Sequence, residues 1–351
     1  MDMLSVLSNF IIEGKVVSVV PMGLGHINTT FLVTTDKNKY TLQKINNTVF
    51  MNIDALIDNI DKITRFISAK RQSVVLIRAK NYAKYVFDGE AYYRLFTFFE
   101  GYCIDRVEKE EDMYAAGVAY GQFQADLQDF NQELYETIPD FHNTVVRYDS
   151  FRKALESASP ERAVIAKKEI KEYLDRFGYA SVIVDKLKSG ELPIRVTHND
   201  TKINNIVFDK ATNVPICVID LDTVMKGCLL YDFGDAIRSG GVDTEEDEKD
   251  ISIVKLKENY FAAFAKGFLQ GTKSFITENE RALLAISAIL MTFECGMRFL
   301  TDYLNGDIYF KTSYKEQNLV RARTQLALVM DMEIKLDSMK KILEDIWIKQ
   351  K

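Results

Sequence analysis

The chain has 351 residues, 47% of them hydrophobic, and a formal net charge of −6. That is long and apolar enough to bury a substantial core in one bilobal or two-domain enzyme, which excludes a disordered chain. The acidic balance argues against a nucleic-acid groove or an anionic membrane as partner, because both select clustered Lys and Arg.

Residues 1–14 carry Asp2 and Glu13 and no basic stretch, so no export signal is expected and the protein reads as cytoplasmic. Alternating apolar runs at 16–20, 30–34 and 40–43 predict strands, 52–68 a helix, and 83–88 and 91–99 further strands. Between the first two strands lies Gly23-Leu-Gly-His-Ile-Asn28, a turn whose Gly23 and Gly25 permit close approach of the backbone to a ligand. An ordinary hairpin turn explains a lone G-x-G equally well.

From residue 100 the pattern turns helical, at 114–130, 151–156, 162–187, 251–269 and 278–304. The apolar stretch 281–294 is too short for a bilayer, which takes about 20 residues. The expected fold is α+β and bilobal, with a small antiparallel-sheet domain over 1–99 and a larger, mainly helical domain over 100–351. Cys103, Cys217, Cys228 and Cys295 are scattered without a C-x-x-C, so reduced thiols are expected.

The helical region is interrupted by Val196-Thr-His-Asn-Asp-Thr-Lys-Ile-Asn-Asn205, two apolar runs (206–208 and 215–219) joined by turn-forming residues, and then Asp220. The H-x-D-x-x-x-x-N spacing brackets a tight loop, so Asp200 and Asn205 can face one nucleotide phosphate. Phosphoryl transfer needs a carboxylate to orient the attacking hydroxyl, a cation against the phosphates and oxygen ligands for magnesium. Asp200, Lys202, and the pair Asn205 and Asp220 are the candidates for those roles, with ATP as phosphate donor and Mg2+ as cofactor. A surface hairpin with ordinary turn polars would explain H-x-D alone, but not this whole set in order. His198 reads as structural, hydrogen-bonding the loop.

Asp232-Phe233-Gly234 imitates the magnesium tripeptide of protein kinases, yet no hairpin strand delivers it. Asp232 or Asp235 is expected instead to cap a helix or to pair with Arg238. Further on, Glu294, Arg298 and Asp302 stand at i, i+4 and i+8 on one face of an apolar helix. They form either a self-satisfied ladder or a frame for a ligand-binding arginine.

Together these residues resemble the aminoglycoside phosphotransferase-like kinases, and within that superfamily the N-acetylhexosamine 1-kinases. The resemblance runs almost end to end. It is carried by Gly25-His-Ile-Asn-Thr-Thr30, Leu192-Pro-Ile-Arg-Val-Thr-His-Asn-Asp-Thr-Lys202, Ile219-Asp-Leu-Asp-Thr-Val-Met225 and Tyr231-Asp-Phe-Gly-Asp-Ala-Ile-Arg238. Glu294-Cys-Gly-Met-Arg-Phe-Leu-Thr-Asp-Tyr-Leu304, Gly306-Asp-Ile-Tyr-Phe310 and Arg321-Ala-Arg-Thr-Gln325 extend it.

The resemblance implies magnesium- and ATP-dependent phosphorylation of the anomeric hydroxyl of GlcNAc or GalNAc. It implies Asp200 as base, Asn205 and Asp220 as metal ligands, and a hinge over 97–99, with Thr97 and Phe99 at its ends, that holds adenine. His26, Arg298 and Tyr309 match positions near the sugar, and Asn28 lies within reach of the phosphates or the acceptor. Homoserine, choline, methylthioribose and aminoglycosides are rival acceptors, and a pseudokinase acting as a binding module is the alternative of a different class.

One feature departs from the protein-kinase template. Aligned on V-A-I-K, Tyr40-Thr-Leu-Gln43 puts Gln43 rather than Lys44 toward the nucleotide, and no Glu occurs from Gly14 to Gly89 to complete the usual Lys–Glu pair. Asp54, Asp58 or Asp61 could stand in only if Lys44 faced inward.

Overall fold

The computed structural model describes residues 3–23 and 27–349. The chain forms two compact units. The first comprises residues 1–102 with two later segments, 129–139 and 207–225; the second holds the rest.

The first unit begins with helix α1 (Met3–Leu7), then the hairpin strands β1 (Val16–Pro21) and β2 (Thr29–Thr35), β3 (Lys39–Ile45), helix α2 (Ile53–Ser68), the two-residue strands β4 (Leu76–Ile77) and β5 (Val86–Phe87), and β6 (Tyr92–Thr97). The sheet is antiparallel in the order β1-β2-β3-β6-β4, with β5 also on β6. Alternation in β3 buries Tyr40 and Leu42, which join Val33, Tyr93 and Leu95 in a core closed by Val6, Leu7 and Phe10. The Asn52 side chain caps α2 by accepting from the Ala55 amide at 3.0 Å. Asn59 on α2 ties in both late segments: it exchanges hydrogen bonds with the Tyr135 backbone (2.9 and 2.8 Å) and donates to the Val224 carbonyl (3.3 Å).

The second unit contains α3 (Glu110–Leu127), α4 (Thr144–Ser157), α5 (Pro160–Ile165), α6 (Lys167–Asp175), α7 (Gly178–Ser189) and β7 (Arg195–Thr197). The hairpin β8 (Ile206–Phe208) and β9 (Pro215–Val218) follows in the chain and belongs, from Val207, to the first unit; β10 (Met225–Gly227), paired with β7, leads back to the second, with helices α8 (Leu229–Gly240), α9 (Glu258–Thr272), α10 (Glu278–Leu304) and α11 (Gln317–Lys349). Glycines let α3 and α9 touch backbone to backbone. A Cβ on Gly121 would meet the Phe268 carbonyl oxygen at 2.5 Å, and one on Gly271 would meet the Gly121 carbonyl carbon at 2.4 Å.

Several elements depart from expectation. The helical pattern over 162–187 is three helices, broken at Ala166 and again around Arg176 and Phe177 ahead of Gly178. The 33-residue α11 has no counterpart among the expected elements. Helix α10 continues through Glu294 to Leu304 and is long and apolar enough to cross a membrane, but 78% of that apolar window is buried inside the protein. Burial, not shortness, accounts for its composition.

Candidate active site

The loop after β7 belongs to the second unit and is held by α8. Asp232 accepts the His198 amide at 3.0 Å, the Asn199 amide at 2.8 Å and the Gln124 side-chain amide at 2.6 Å. The Thr201 hydroxyl donates to the Asp232 carbonyl at 2.6 Å, and Asp235 accepts the Thr201 amide at 2.9 Å. Burial pushes the Asp232 carboxyl above the usual carboxylate range. Of the two roles expected for Asp232 and Asp235, the pairing with Arg238 falls to Asp235, at 2.7 Å. Asp232 does neither: it clamps the loop, and the start of α8 at Cys228 has no side-chain cap. Asn199 at the turn takes a left-handed backbone, φ 65°.

His198 is fully buried, edge-on to Tyr120 and Phe123, and its Nδ1 accepts the Asp200 amide at 3.3 Å. The Asn205 amide donates to the Asp200 carbonyl at 2.9 Å and to its Oδ2 at 3.2 Å, while Lys202 Nζ lies 3.3 Å from Oδ1. Burial alone would raise the Asp200 carboxyl, but Lys202, His198 and Arg238 together outweigh it and hold the group below the ordinary range. Lys202 is raised in turn by Asp200. The result is a half-buried, ionised carboxylate oriented by an amide and a cation.

The second unit also contains Glu294, Arg298 and Asp302, but not as a ladder. Glu294 is taken by the His142 Nδ1 at 2.7 Å and the Thr144 hydroxyl at 2.5 Å, and His142 Nε2 lies 2.9 Å from the Asn199 carbonyl oxygen. Asp302 accepts the amides of Ile308, Tyr309 and Phe310 at 3.0, 2.8 and 2.9 Å, and the Asn318 amide at 2.9 Å. Arg298 therefore has neither carboxylate as hydrogen-bond partner; its guanidinium lies over the rings of Phe141 (5.2 Å) and Phe310 (5.6 Å). Asp302 instead fixes the loop that presents Tyr309, which is 55% exposed.

In the first unit, Gln43 is half-buried and Lys44 exposed. Gln43 donates to the Thr30 hydroxyl at 3.1 Å and accepts from Arg94 Nε at 2.9 Å. Arg94 Nη1 meets Asp222 Oδ1 at 2.5 Å, and the other oxygen of Asp222 accepts from the Asn28 amide at 2.6 Å. The Asn28 amide oxygen accepts the Asn46 amide at 3.0 Å. Asp58 and Asp61 are engaged by Lys62, Lys84 and Arg78. Asp220, two residues before Asp222, sits at φ 57°. Thr97 ends β6 with its amide on the Val75 carbonyl, and half-buried Phe99 follows. Gly23 has φ 73°; Gly25 and His26 lie outside the described residues.

Magnesium fits this donor set. The Asn205 amide nitrogen is spent on Asp200, while its oxygen accepts no hydrogen bond among the described residues. No group of three or more His, Cys, Asp or Glu that could hold a metal occurs among the described residues. The Asn205 oxygen is a hard ligand of the kind magnesium takes alongside phosphate oxygens and waters.

Arg94, Asp222, His142 and Asp232 escaped sequence reasoning as partners. Only the run Asp220-Leu-Asp222 gave a signal, and it favoured the first carboxylate alone.

The fold is that of several solved kinases. The microcompartment-associated aminopropanol kinase shares 13% identity over 96% of this chain and 98% of its own, with a TM-score of 0.65. A choline kinase from Cryptosporidium parvum shares 14% over 99% of each chain, with a TM-score of 0.60. An aminoglycoside phosphotransferase from Alicyclobacillus acidocaldarius shares 11% over 97% and 96%, with a TM-score of 0.62. These likenesses establish the α+β architecture of antiparallel sheet and helical unit. The model of the phosphotransferase enzyme family APH matches residues 18–280, a stretch that includes the Asp200 loop, Asp220 and Asp232, and the chain therefore belongs to that family.

Proposed function

We propose that the protein is an ATP-dependent kinase that phosphorylates the anomeric hydroxyl of an N-acetylhexosamine, GlcNAc or GalNAc, to give the sugar 1-phosphate. The observation that carries this reading is the contrast within the second unit: an oriented, ionised Asp200 and an Arg298 that has no carboxylate hydrogen-bond partner among the described residues. Asp200 accepts a hydrogen bond from the sugar O1 and takes its proton as the O1–P bond forms and the bond to the departing ADP breaks. An anomeric hydroxyl is more acidic than an ordinary alcohol, so a carboxylate of low proton affinity suffices. Arg298 donates to sugar oxygens, and Tyr309 offers a ring and a hydroxyl on the same loop.

Lys202 carries positive charge beside Asp200, toward the phosphates. Asn205 and Asp220 are the proposed magnesium ligands, and the ion would neutralise phosphate charge when bound. Gly23, Gly25 and the segment 97–99 hold the nucleotide and His26 serves the phosphates or sugar, whereas Asn28 is buried with its side chain on Asp222 and Asn46.

An amino-alcohol acceptor, of the kind two of the related structures are named for, would seek an unpaired carboxylate. Glu294 and Asp302 are both already engaged. Homoserine is the second reading, because its carboxylate could pair with Arg298.

ADP release should be followed with magnesium-ATP and GlcNAc, GalNAc, glucose, homoserine, choline and kanamycin, and the product read by phosphorus NMR. An anomeric phosphate on an N-acetylhexosamine is expected. Turnover of amines or amino acids alone removes the sugar assignment, and ATP binding without any turnover favours a pseudokinase.

A further inference from the structure

Phe141 gathers two guanidinium groups. Its carbonyl oxygen accepts from Arg147 Nε at 3.1 Å, and its ring lies 5.2 Å from the Arg298 guanidinium. Phe310 covers Arg298 at 5.6 Å and meets the Tyr309 ring edge-on at 4.8 Å. The terminal nitrogens of Arg147 have no hydrogen-bond or ion-pair partner among the described residues, and neither has the Arg298 guanidinium. Burial and the neighbouring Arg298 both lower the proton affinity of Arg147. Glu294, Tyr309 and Asp140 oppose this; Glu294 is already committed to His142 and Thr144, and Asp140 accepts from the Asn143 side chain.

Partly buried like charges with unused donors are costly unless a ligand supplies oxygen atoms. We propose that Arg147 is a second acceptor-binding residue, donating through its terminal nitrogens to a carbonyl or carboxylate oxygen of the acceptor. This rests on the reading of the second unit as the acceptor-binding part of a kinase. In an N-acetylhexosamine that oxygen is the acetamido carbonyl, in homoserine the carboxylate. Two guanidinium groups beside Tyr309 also repel an acceptor that bears an ammonium and no carboxylate, so the same residue selects against amino alcohols and unacetylated amino sugars.

The test is steady-state kinetics of wild type, Arg147→Met and Arg147→Lys with GlcNAc, glucose, glucosamine and homoserine. Loss of a charged hydrogen bond predicts a rise in KM for GlcNAc of about 10- to 100-fold in Arg147→Met, with kcat little changed and partial recovery in Arg147→Lys. Glucose, which lacks the carbonyl, should lose far less, and glucosamine should gain relative to GlcNAc. Equal losses for GlcNAc and glucose, or an unchanged KM for GlcNAc, overturn the role of Arg147 while leaving the kinase assignment standing. Wild-type turnover of homoserine alone, with KM rising in Arg147→Met, overturns the sugar reading and keeps Arg147. Turnover of amino alcohols alone overturns both. Should Arg147→Met fail to fold, the GlcNAc-against-glucose KM ratio in Arg147→Lys decides.

Discussion

Arg94 and Asp222, 128 residues apart in the chain, form an ion pair at 2.5 Å with only 1% and 5% of their side chains exposed. Gln43 and Asn28 complete the pair's hydrogen bonds. This network joins Gln43 on β3 and Arg94 on β6 to Asp222, two residues after Asp220. Removing one partner leaves a buried charge uncompensated, so Arg94→Met or Asp222→Leu should each cost about 3–5 kcal/mol. The double replacement should cost clearly less than the sum. Urea unfolding of the four proteins measures this; simple additivity would show that the two side chains do not act as a pair.

Asp200→Asn keeps the shape of the side chain and removes the charge that attracts Lys202. Turnover should fall by about 10²- to 10⁴-fold while nucleotide binding, followed by calorimetry, stays within a few-fold. Retained turnover would remove Asp200 from the reaction.

His142 and Glu294 link α10 to the loop around Asn199, and their charges depend on each other. Burial opposes the charge on both, yet Glu294 raises His142 above its ordinary 6.5, and His142 holds Glu294 below its ordinary 4.5. The histidine's contribution is full below 6.5 and is lost as pH rises through its raised value. The glutamate's is full above 4.5 and is lost as pH falls through its lowered value. The melting-temperature gap between wild type and Glu294→Gln should therefore be widest between these limits and shrink toward alkaline pH. A gap that does not vary with pH would mean the pair carries no net charge interaction.

Gly121→Val pushes a branched side chain into the Phe268 carbonyl, where even a Cβ would sit at 2.5 Å. Separating α3 from α9 should destabilise the protein by about 1–3 kcal/mol or more, readable by thermal melting. Gly178→Val, with nothing within 4 Å of its Cβ position, is the matched control.

The sheet strands other than β4 (Leu76–Ile77), α2, the hairpin and the loop holding Asp200, Lys202 and Asn205 could be read from the chain because each depends on spacing within a few residues. Period-2 alternation marks β3, and the H-x-D-x-x-x-x-N interval brings Asn205 within 3.2 Å of Asp200 through one tight turn. The family resemblance was legible for the same reason, since its motifs are contiguous.

Partnerships across long separations were not legible. Asp232 looked like a helix cap because its neighbours suggest one; only the approach of the loop after β7 makes it the acceptor for the His198 and Asn199 amides, 34 and 33 residues away. The spacing of Glu294, Arg298 and Asp302 put three charges on one face of α10, but a helix face does not say what packs on it. His142, from 152 residues upstream, claims Glu294. The loop beyond Gly306 claims Asp302, and two phenylalanine rings rather than a carboxylate hold Arg298. Local sequence sets which residue types recur at which interval, and so determined most of the strands and the grouping of Asp200, Lys202 and Asn205 in one loop. The choice of partner for each buried charge is made by long-range packing, where burial forces every carboxylate to find a donor, and tertiary structure alone decided it.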